Sequence, residues 1–343
     1  MKVVIWGCRG SLPTPLTALD VRAKIERALA FAADHDISTP AARQYLIDHA
    51  LPFWVHGTYG GNTPCVQIIG PQAVKGCKEY ILCDAGSGLR SFGDAMARAE
   101  EERACRSTGD VTPTTTAQAQ PRAGARFHIL LSHLHYDHLQ GFPFFRQAWA
   151  AGSEIHFYGC HPGMQEAVER HQGQPFFPVQ FDKLPASIHF HILEPEKDVN
   201  LAGVTVQPFM QDHPGDSYGF RFTYEGRSIV YSTDSEHREH ANHESYGFLR
   251  HFQDANVVIF DAQYPLREAI YTKENWGHSN NFIGVELAVR ANVGHLVLFH
   301  HDPVSSDRVL DDLQHATQSY ADMCAPLGKL RVSIAYDGLE FEV

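Results

Sequence analysis

Directly after the apolar run Phe127–Leu131, the chain reads Ser132-His133-Leu134-His135-Tyr136-Asp137-His138-Leu139-Gln140-Gly141. In extended backbone, side chains two apart point the same way, so His133 and His135 can converge on one ion. Asp137 and His138 follow at a turn, where the chain can aim both toward a second ion. Imidazoles and a carboxylate suit zinc, manganese or iron and not calcium. One loop that gathers four such donors predicts a two-metal site. The segment Ile188-His189-Phe190-His191-Ile192 is an internal control. It has the same H-x-H spacing, but its alternation with apolar residues and the lack of a following Asp or His mark the outer face of a strand.

The elements that must position the loop are visible in the hydrophobic pattern. Short apolar or alternating runs predict strands at Lys2–Trp6, Cys65–Ile69, Tyr80–Cys83, Phe127–Leu131, Glu154–Tyr158, Ser187–Leu193 and Val204–Phe209. Others follow at Tyr218–Tyr224, Ser228–Ser232, Val257–Phe260, His295–Phe299 and Leu330–Tyr336, with Glu225-Gly226 and Asp337-Gly338 as hairpin turns. Helical patterns cover about Leu19–Ala33, Thr39–His49, Met164–His171, Asn281–Ala291 and Ser306–Cys324. Hairpin-rich strands with helices interspersed predict two packed sheets covered by helices. The expectation is a single domain over 1–343, with a helical insertion at about 13–56 and a flexible loop at about 97–125, where the Thr112–Pro121 run is of low complexity.

Composition narrows the function. The 343 residues carry 28 Lys and Arg against 40 Asp and Glu, a net charge of −12. That balance speaks against gripping a large nucleic acid, whose phosphates need clustered cations. With 43% hydrophobic residues, the chain has ample material for a core. No run approaches the ~20 apolar residues that span a bilayer, and the start has no signal-peptide pattern, so no membrane and a cytoplasmic location are expected. Seven Cys without a C-x-x-C pair suggest neither disulfides nor a cysteine zinc site, whereas 22 His invite a search for metal spacing.

In its metal loop the sequence resembles the metallo-β-lactamase superfamily of metallohydrolases. Further likeness lies in Asp84 of Cys83-Asp84-Ala85-Gly86, His213 of Asp212-His213-Pro214-Gly215, Asp234 of Ser232-Thr233-Asp234-Ser235 and His300 of Phe299-His300-His301. The resemblance implies an α+β, four-layer αββα sandwich, the metallo-β-lactamase fold, with two mixed sheets flanked by helices. It implies two divalent ions (Zn, Mn or Fe), one held by His133, His135 and His213, the other by Asp137, His138 and His300, with Asp234 between them. Strand alternation alone puts His301 on the side of Val297 and Phe299, and His300 on the side of Leu298. The family pattern implies His300 as the ligand; His301 is then either a support behind the ligands or a substrate contact, and Asp302 is a candidate to orient either imidazole by accepting its other N–H.

Trp276-Gly277-His278-Ser279 resembles the histidine motif of the phosphodiesterase branch, which includes ribonuclease Z and the class II cyclic nucleotide phosphodiesterases. There the histidine meets the phosphate and helps protonate the leaving oxygen. At the entrance to the Asn281–Ala291 helix, His278 is well placed for an anion. Gly60-Gly61-Asn62-Thr63 and Trp6-Gly7-Cys8-Arg9-Gly10-Ser11 also resemble this branch, with Asn62 a candidate substrate donor and Arg9 either a phosphate contact or a structural ion pair. Asp261 and Tyr264 are candidates to line the cleft. Ser235–Glu244 reads as a solvated charged helix, with a lid as the alternative.

The expected function is a binuclear metal-dependent hydrolase, a phosphodiesterase acting on a small or cyclic phosphodiester through a metal-bridging hydroxide. Asp137 and His278 are its catalytic candidates, and Asn62, His278 and His301 its substrate contacts. Hydrolysis of a carboxylic ester, lactone or thioester is the alternative, followed by a non-catalytic metal-binding sensor. The 13–56 insertion is a candidate cover for the cleft or an interface in a homodimer.

Overall fold

The computed structural model describes residues 1–71, 78–108, 124–264, 273, 275–325 and 330–343. The predicted strands assemble into two seven-stranded sheets. The first contains β1 (Lys2–Gly7), β2 (Cys65–Ile69), β3 (Glu79–Cys83), β4 (Arg126–Leu130), β5 (Glu154–Gly159) and β6 (Ser187–Ile192). The second contains β7 (Val199–Leu201), β8 (Val204–Gln211), β9 (Ser217–Tyr224), β10 (Arg227–Ser232), β11 (Val257–Asp261), β12 (His295–Phe299) and β13 (Arg331–Ile334). The last strand, β14 (Glu340–Glu342), returns to pair with β1 at the edge of the first sheet. The short strands β7 and β14 escape the sequence pattern because three residues are too few to display alternation.

Each sheet is mixed. In the first, β1, β2 and β3 pair antiparallel and β3 to β6 run parallel. In the second, β7 to β10 pair antiparallel and β10 to β13 run parallel. Parallel neighbours need crossovers, which helices supply. Gly88–Thr108 links β3 to β4, Asn281–Arg290 links β11 to β12, and Asp307–Cys324 links β12 to β13.

Alternation then sorts the side chains into layers. Val3, Ile5, Ile81, Leu130, Phe220, Phe222, Tyr231, Ile259, Val297 and Phe299 fill the space between the sheets. Phe127, Ile129 and Phe157 pack outward on Phe92 of the 88–108 helix, while Val258, Phe260, Leu296 and Leu298 pack outward toward Val285, Leu287 and Leu310. The result is the expected four-layer αββα sandwich. The parallel halves end together, so the loops that follow β3, β4, β10, β11 and β12 meet along one edge.

The stretch expected as a loop at 97–125 is helical in its first part, because the 88–108 helix runs into it. Ala97–Thr108 is rich in Ala, Glu and Arg, whose helix propensity outweighs the lack of a clean apolar stripe. Residues 109–123, with the Thr112–Pro121 run, lie outside the described residues, as does Cys77. The 13–56 segment does form helices, the first being Ala18–Ala32 with a Thr17/Asp20 capping box. Lys24 bolts that helix down by donating to the carbonyls of Trp54 and Gly57 and pairing with Asp307 at 2.7 Å. Its outer stripe of Val21, Ile25 and Leu29 stays exposed. Among the described residues, no helix is long and apolar enough to cross a membrane.

Candidate metal centre

Seven side chains proposed from the sequence meet at this edge. His133 and His135 follow β4, Asp137 and His138 sit on a 3₁₀ turn, His213 follows β8, Asp234 follows β10, and His300 follows β12. The donor atoms of His133, His135 and His213 form one close group, and those of Asp137, His138 and His300 form another. Asp234 lies between them and divides its carboxylate. Its Oδ2 is 3.5 Å from His133 Nε2 and 3.8 Å from His213 Nε2, while its Oδ1 is 3.3 Å from both His138 Nε2 and His300 Nε2. Asp137 Oδ2 is 3.4 Å from His138 Nε2 and 3.3 Å from His300 Nε2.

These residues fit divalent cations. A tetrahedral ion with bonds of roughly 2.1 Å separates its ligands by about 3.4 Å, which is the spacing found here. The buried Nε2 atoms of His133 and His138 have no hydrogen-bond partner among the described residues, an arrangement that costs free energy unless a further group meets them. Electrostatics agrees. Burial, with help from His138, pushes His133 well below the ordinary imidazole range, and burial also lowers His135 and His213. Neutral imidazoles are the form that ligates metal. Burial works against the charge on Asp234, but the surrounding His300, His138 and His133 outweigh it and hold the carboxyl well below its usual range. His138 is driven the other way, because Asp137, Asp234 and Asp84 overcome its burial. Two carboxylates facing one another across imidazoles create a demand for positive charge in a chain of net charge −12.

A second set of contacts aims the donors. Asp84, fully buried, accepts four hydrogen bonds: from His138 Nδ1 at 2.8 Å, the Ser132 amide at 2.8 Å, the Ser132 hydroxyl at 2.9 Å and the Tyr231 hydroxyl at 2.7 Å. With its proton fixed on Nδ1, His138 presents Nε2 to the cluster. The Ser11 amide donates to Asp137 Oδ2 at 2.8 Å, and His213 Nδ1 donates to the Gly277 carbonyl at 2.8 Å. Gly10 has to be glycine, since a Cβ there would stand 2.7 Å from His300 Nδ1.

The strand-alternation question at 300–301 is decided by the backbone. His300 adopts φ +60°, which ends the extended run and turns its imidazole into the cluster. His301 instead donates from Nε2 to the Ala335 carbonyl at 2.9 Å, is buried, and burial pushes it down to about 3. Asp302 does not orient either ring: its carboxylate accepts from the Val304 amide. Asn62, expected as a substrate donor, gives its amide to Asp337 at 2.9 Å and Ser91 at 3.1 Å and accepts from Ser87 at 3.1 Å. Arg9 takes the structural role, donating to the carbonyls of Gly60, Ser305 and Asp302. His189 and His191 lie on β6, away from the cluster, where His191 meets His156 at 2.9 Å.

His278 does reach the centre. Its ring stacks on His300 with centroids 5.1 Å apart, and its Nδ1 lies 2.9 Å from Asp261 Oδ2. Burial works to lower it, yet the Asp261 carboxylate, reinforced by Asp234 and Asp137, prevails and raises it to about 8. Tyr264 meets the His278 ring edge-on at 5.4 Å. The expected solvated helix at Ser235–Glu244 is not found: Ser235, Glu236 and His237 are buried and only Glu239–Asn242 forms a 3₁₀ turn. The Glu236 carboxylate and the His237 amide are met by the loop 275–279, the Ser235 amide by Asp261 and the His237 ring by Tyr246, contacts that local spacing does not reveal.

Residues 80–301 match the Beta-lactamase superfamily domain, and the chain belongs to that family. It is thus a member of the metallo-β-lactamase superfamily, whose membership supports a metal-dependent hydrolase. A 174-residue stretch is 24% identical to the probable metallo-hydrolase YhfI of Bacillus subtilis (strain 168), covering 50% of this chain and 64% of that relative. The match therefore spans less than two thirds of the relative's length. Among solved structures, yeast PDE1 gives a TM-score of 0.62 at 14% identity, covering 100% of this chain and 99% of that one. The YhfI crystal structure gives 0.58 at 16% identity with 100% and 98% coverage. The short form of human tRNase Z gives 0.55 at 17% identity with 100% and 99% coverage. At these identities the likeness concerns the fold alone.

Proposed function

We propose that the protein is a binuclear metal-dependent phosphodiesterase acting on a small or cyclic phosphodiester, with the whole 1–343 chain as one domain. His133, His135 and His213 would hold one ion (Zn, Mn or Fe), Asp137, His138 and His300 the other, and Asp234 both. Bound there, the ions would supply Lewis acidity and lower the pKa of water toward about 7.

The observation that carries the phosphodiester reading is the Asp261–His278 pair beside the cluster. Asp261 engages Nδ1, and no hydrogen bond among the described residues occupies His278 Nε2. Raised to about 8, the imidazole carries a proton at neutral pH. It can therefore pair with a phosphoryl oxygen and deliver that proton to the departing alkoxide. The acidity of the chain favours a small substrate over a polynucleotide.

The test is steady-state hydrolysis of bis(p-nitrophenyl) phosphate by protein of known metal content, with Mn, Zn or chelator added. Metal-dependent turnover that collapses in His278→Ala, with metal content kept, is the expected result. Two bound metals without turnover would overturn the phosphodiester reading and bring lactones and thioesters forward.

A further inference from the structure

The segment that follows Asp234 does more than leave the site. Glu236 is 8% exposed, and its backbone amide donates to the Asp212 carbonyl at 2.8 Å, beside His213. Its carboxylate accepts from two amides of the loop that carries His278: Asn275 N at 2.9 Å on Oε1 and Gly277 N at 3.2 Å on Oε2. The neighbours complete the clamp. The His237 amide donates to Ser279 Oγ at 3.1 Å, and Ser279 Oγ donates to the Ser235 carbonyl at 2.6 Å. Asn275 and Gly277 both have positive φ, +66° and +83°, a tight turn that glycine adopts freely, and their amides point to Glu236, where an unmet buried donor would cost free energy. A Cβ on Gly277 would lie 2.2 Å from His213 Nδ1, which shows how closely the loop is pressed on that ligand.

We propose that Glu236 is a positioning residue that serves both halves of the site at once. By holding the Asn275 and Gly277 amides, it fixes the Gly277 carbonyl that accepts from His213 Nδ1, leaving His213 Nε2 for the metal. Through the same turn it sets the place of His278, the leaving-group acid; this second arm rests on the phosphodiesterase reading. A carboxylate is suited to the task because it offers two acceptor oxygens to two amides and no donor. Glutamine offers one carbonyl oxygen and sets an NH₂ group against the other amide.

The experiment compares Glu236→Gln and Glu236→Ala with His278→Ala and the unaltered protein, all metal-loaded. One readout is metal affinity by chelator competition. The other is kcat for methyl p-nitrophenyl phosphate against methyl phenyl phosphate, whose poorer leaving group depends more on protonation. Expected are an affinity loss of about tenfold or more and a kcat loss that is several-fold larger for the phenyl ester, partial in Glu236→Gln and full in Glu236→Ala. Should Glu236→Ala fail to fold, the near-isosteric glutamine variant carries the test. Wild-type affinity and wild-type leaving-group dependence in Glu236→Gln, with His278→Ala steep, would overturn the proposal. A His278→Ala variant with unchanged leaving-group dependence would instead overturn the reading of His278, while metal affinity would still decide the hold of Glu236 on His213.

Discussion

Replacing Asp84 by asparagine separates the aiming of a ligand from the ligand itself. The residue lies behind His138, and four donors converge on it, three of them on Oδ2. Asparagine has the same shape and one acceptor oxygen fewer. If its oxygen faces His138, the NH₂ group confronts the Ser132 amide, and two buried donors oppose each other at a cost of about 1–3 kcal/mol. If its oxygen faces Ser132, the hydroxyls of Ser132 and Tyr231 can rotate to accept, but His138 can accept only by moving its proton to Nε2. That is the nitrogen presented to Asp137 and Asp234, so the metal-facing lone pair would be lost. The first response costs folding stability and leaves His138 aimed; the second should cost metal affinity roughly 10–100-fold, or about 1.4–2.8 kcal/mol. No discount for solvent is due, because both side chains are fully buried. Chelator competition on Asp84→Asn, with thermal unfolding of the metal-free form alongside, measures both arms. Wild-type affinity together with unchanged unfolding would refute the argument that Asp84 sets the tautomer of His138.

Further consequences follow from the charges. Because the Asp261 carboxylate raises His278 to about 8, a reaction that uses its proton should show an alkaline limb in kcat, declining as that proton is lost. Asp261→Asn removes the main raising contact and should move this alkaline limb of kcat down toward the ordinary 6.5; an unmoved limb would exclude the pair as its origin. Burial pushes His237 and His301 down to about 3, so both stay neutral in the native protein while the unfolded chain takes up protons below 6.5. Stability should therefore be complete above pH 6.5 and fall toward pH 3, with each residue costing about 1.4 kcal/mol by pH 5.5. Urea unfolding at pH 7.5 and 5.5 should show this loss, reduced by one such increment in His237→Phe, and an equal pH dependence in that variant would contradict it.

How far the site could be read in advance depended on whether the needed information was local. The H-x-H-x-D-H loop was legible because its donors are neighbours in sequence and their common aim follows from extended backbone. The two packed sheets were legible because runs such as Val257–Phe260 and Leu296–Phe299 are apolar throughout, as strands covered on both faces are. The 88–108 helix was missed because its Ala- and Glu-rich second half carries no apolar periodicity. Contacts that close over long separations left no local trace. Tyr231 reaches Asp84 across 147 positions, and the Glu236 carboxylate reaches the Asn275 amide across 39. From spacing alone Glu236 looked like one more solvated charge, when it is a buried acceptor for two loop amides.

The choice between His300 and His301 exposes a more general rule of this site. Alternation assumes that the strand continues, but Asp84, Asp234 and His300 each adopt a left-handed backbone, with φ of +62°, +48° and +60°, just past β3, β10 and β12. None is glycine, and each such residue costs on the order of 1–3 kcal/mol. The same departure recurs at three strand ends along one edge of the sandwich, and Asp and His, like Asn, are among the non-glycine residues that adopt it most readily. What the three share is a side chain that must leave the strand axis and point across the sheet edge. Two of them point at the cluster and the third at the back of His138. The strain is thus spent where parallel strands end side by side, and the hydrogen bonds to Asp84 and the cation demanded by Asp137 and Asp234 are the interactions that can offset it. At these three strand ends the side chains are aimed by backbone conformations that a strand pattern cannot encode, which is why their type was readable and their direction was not.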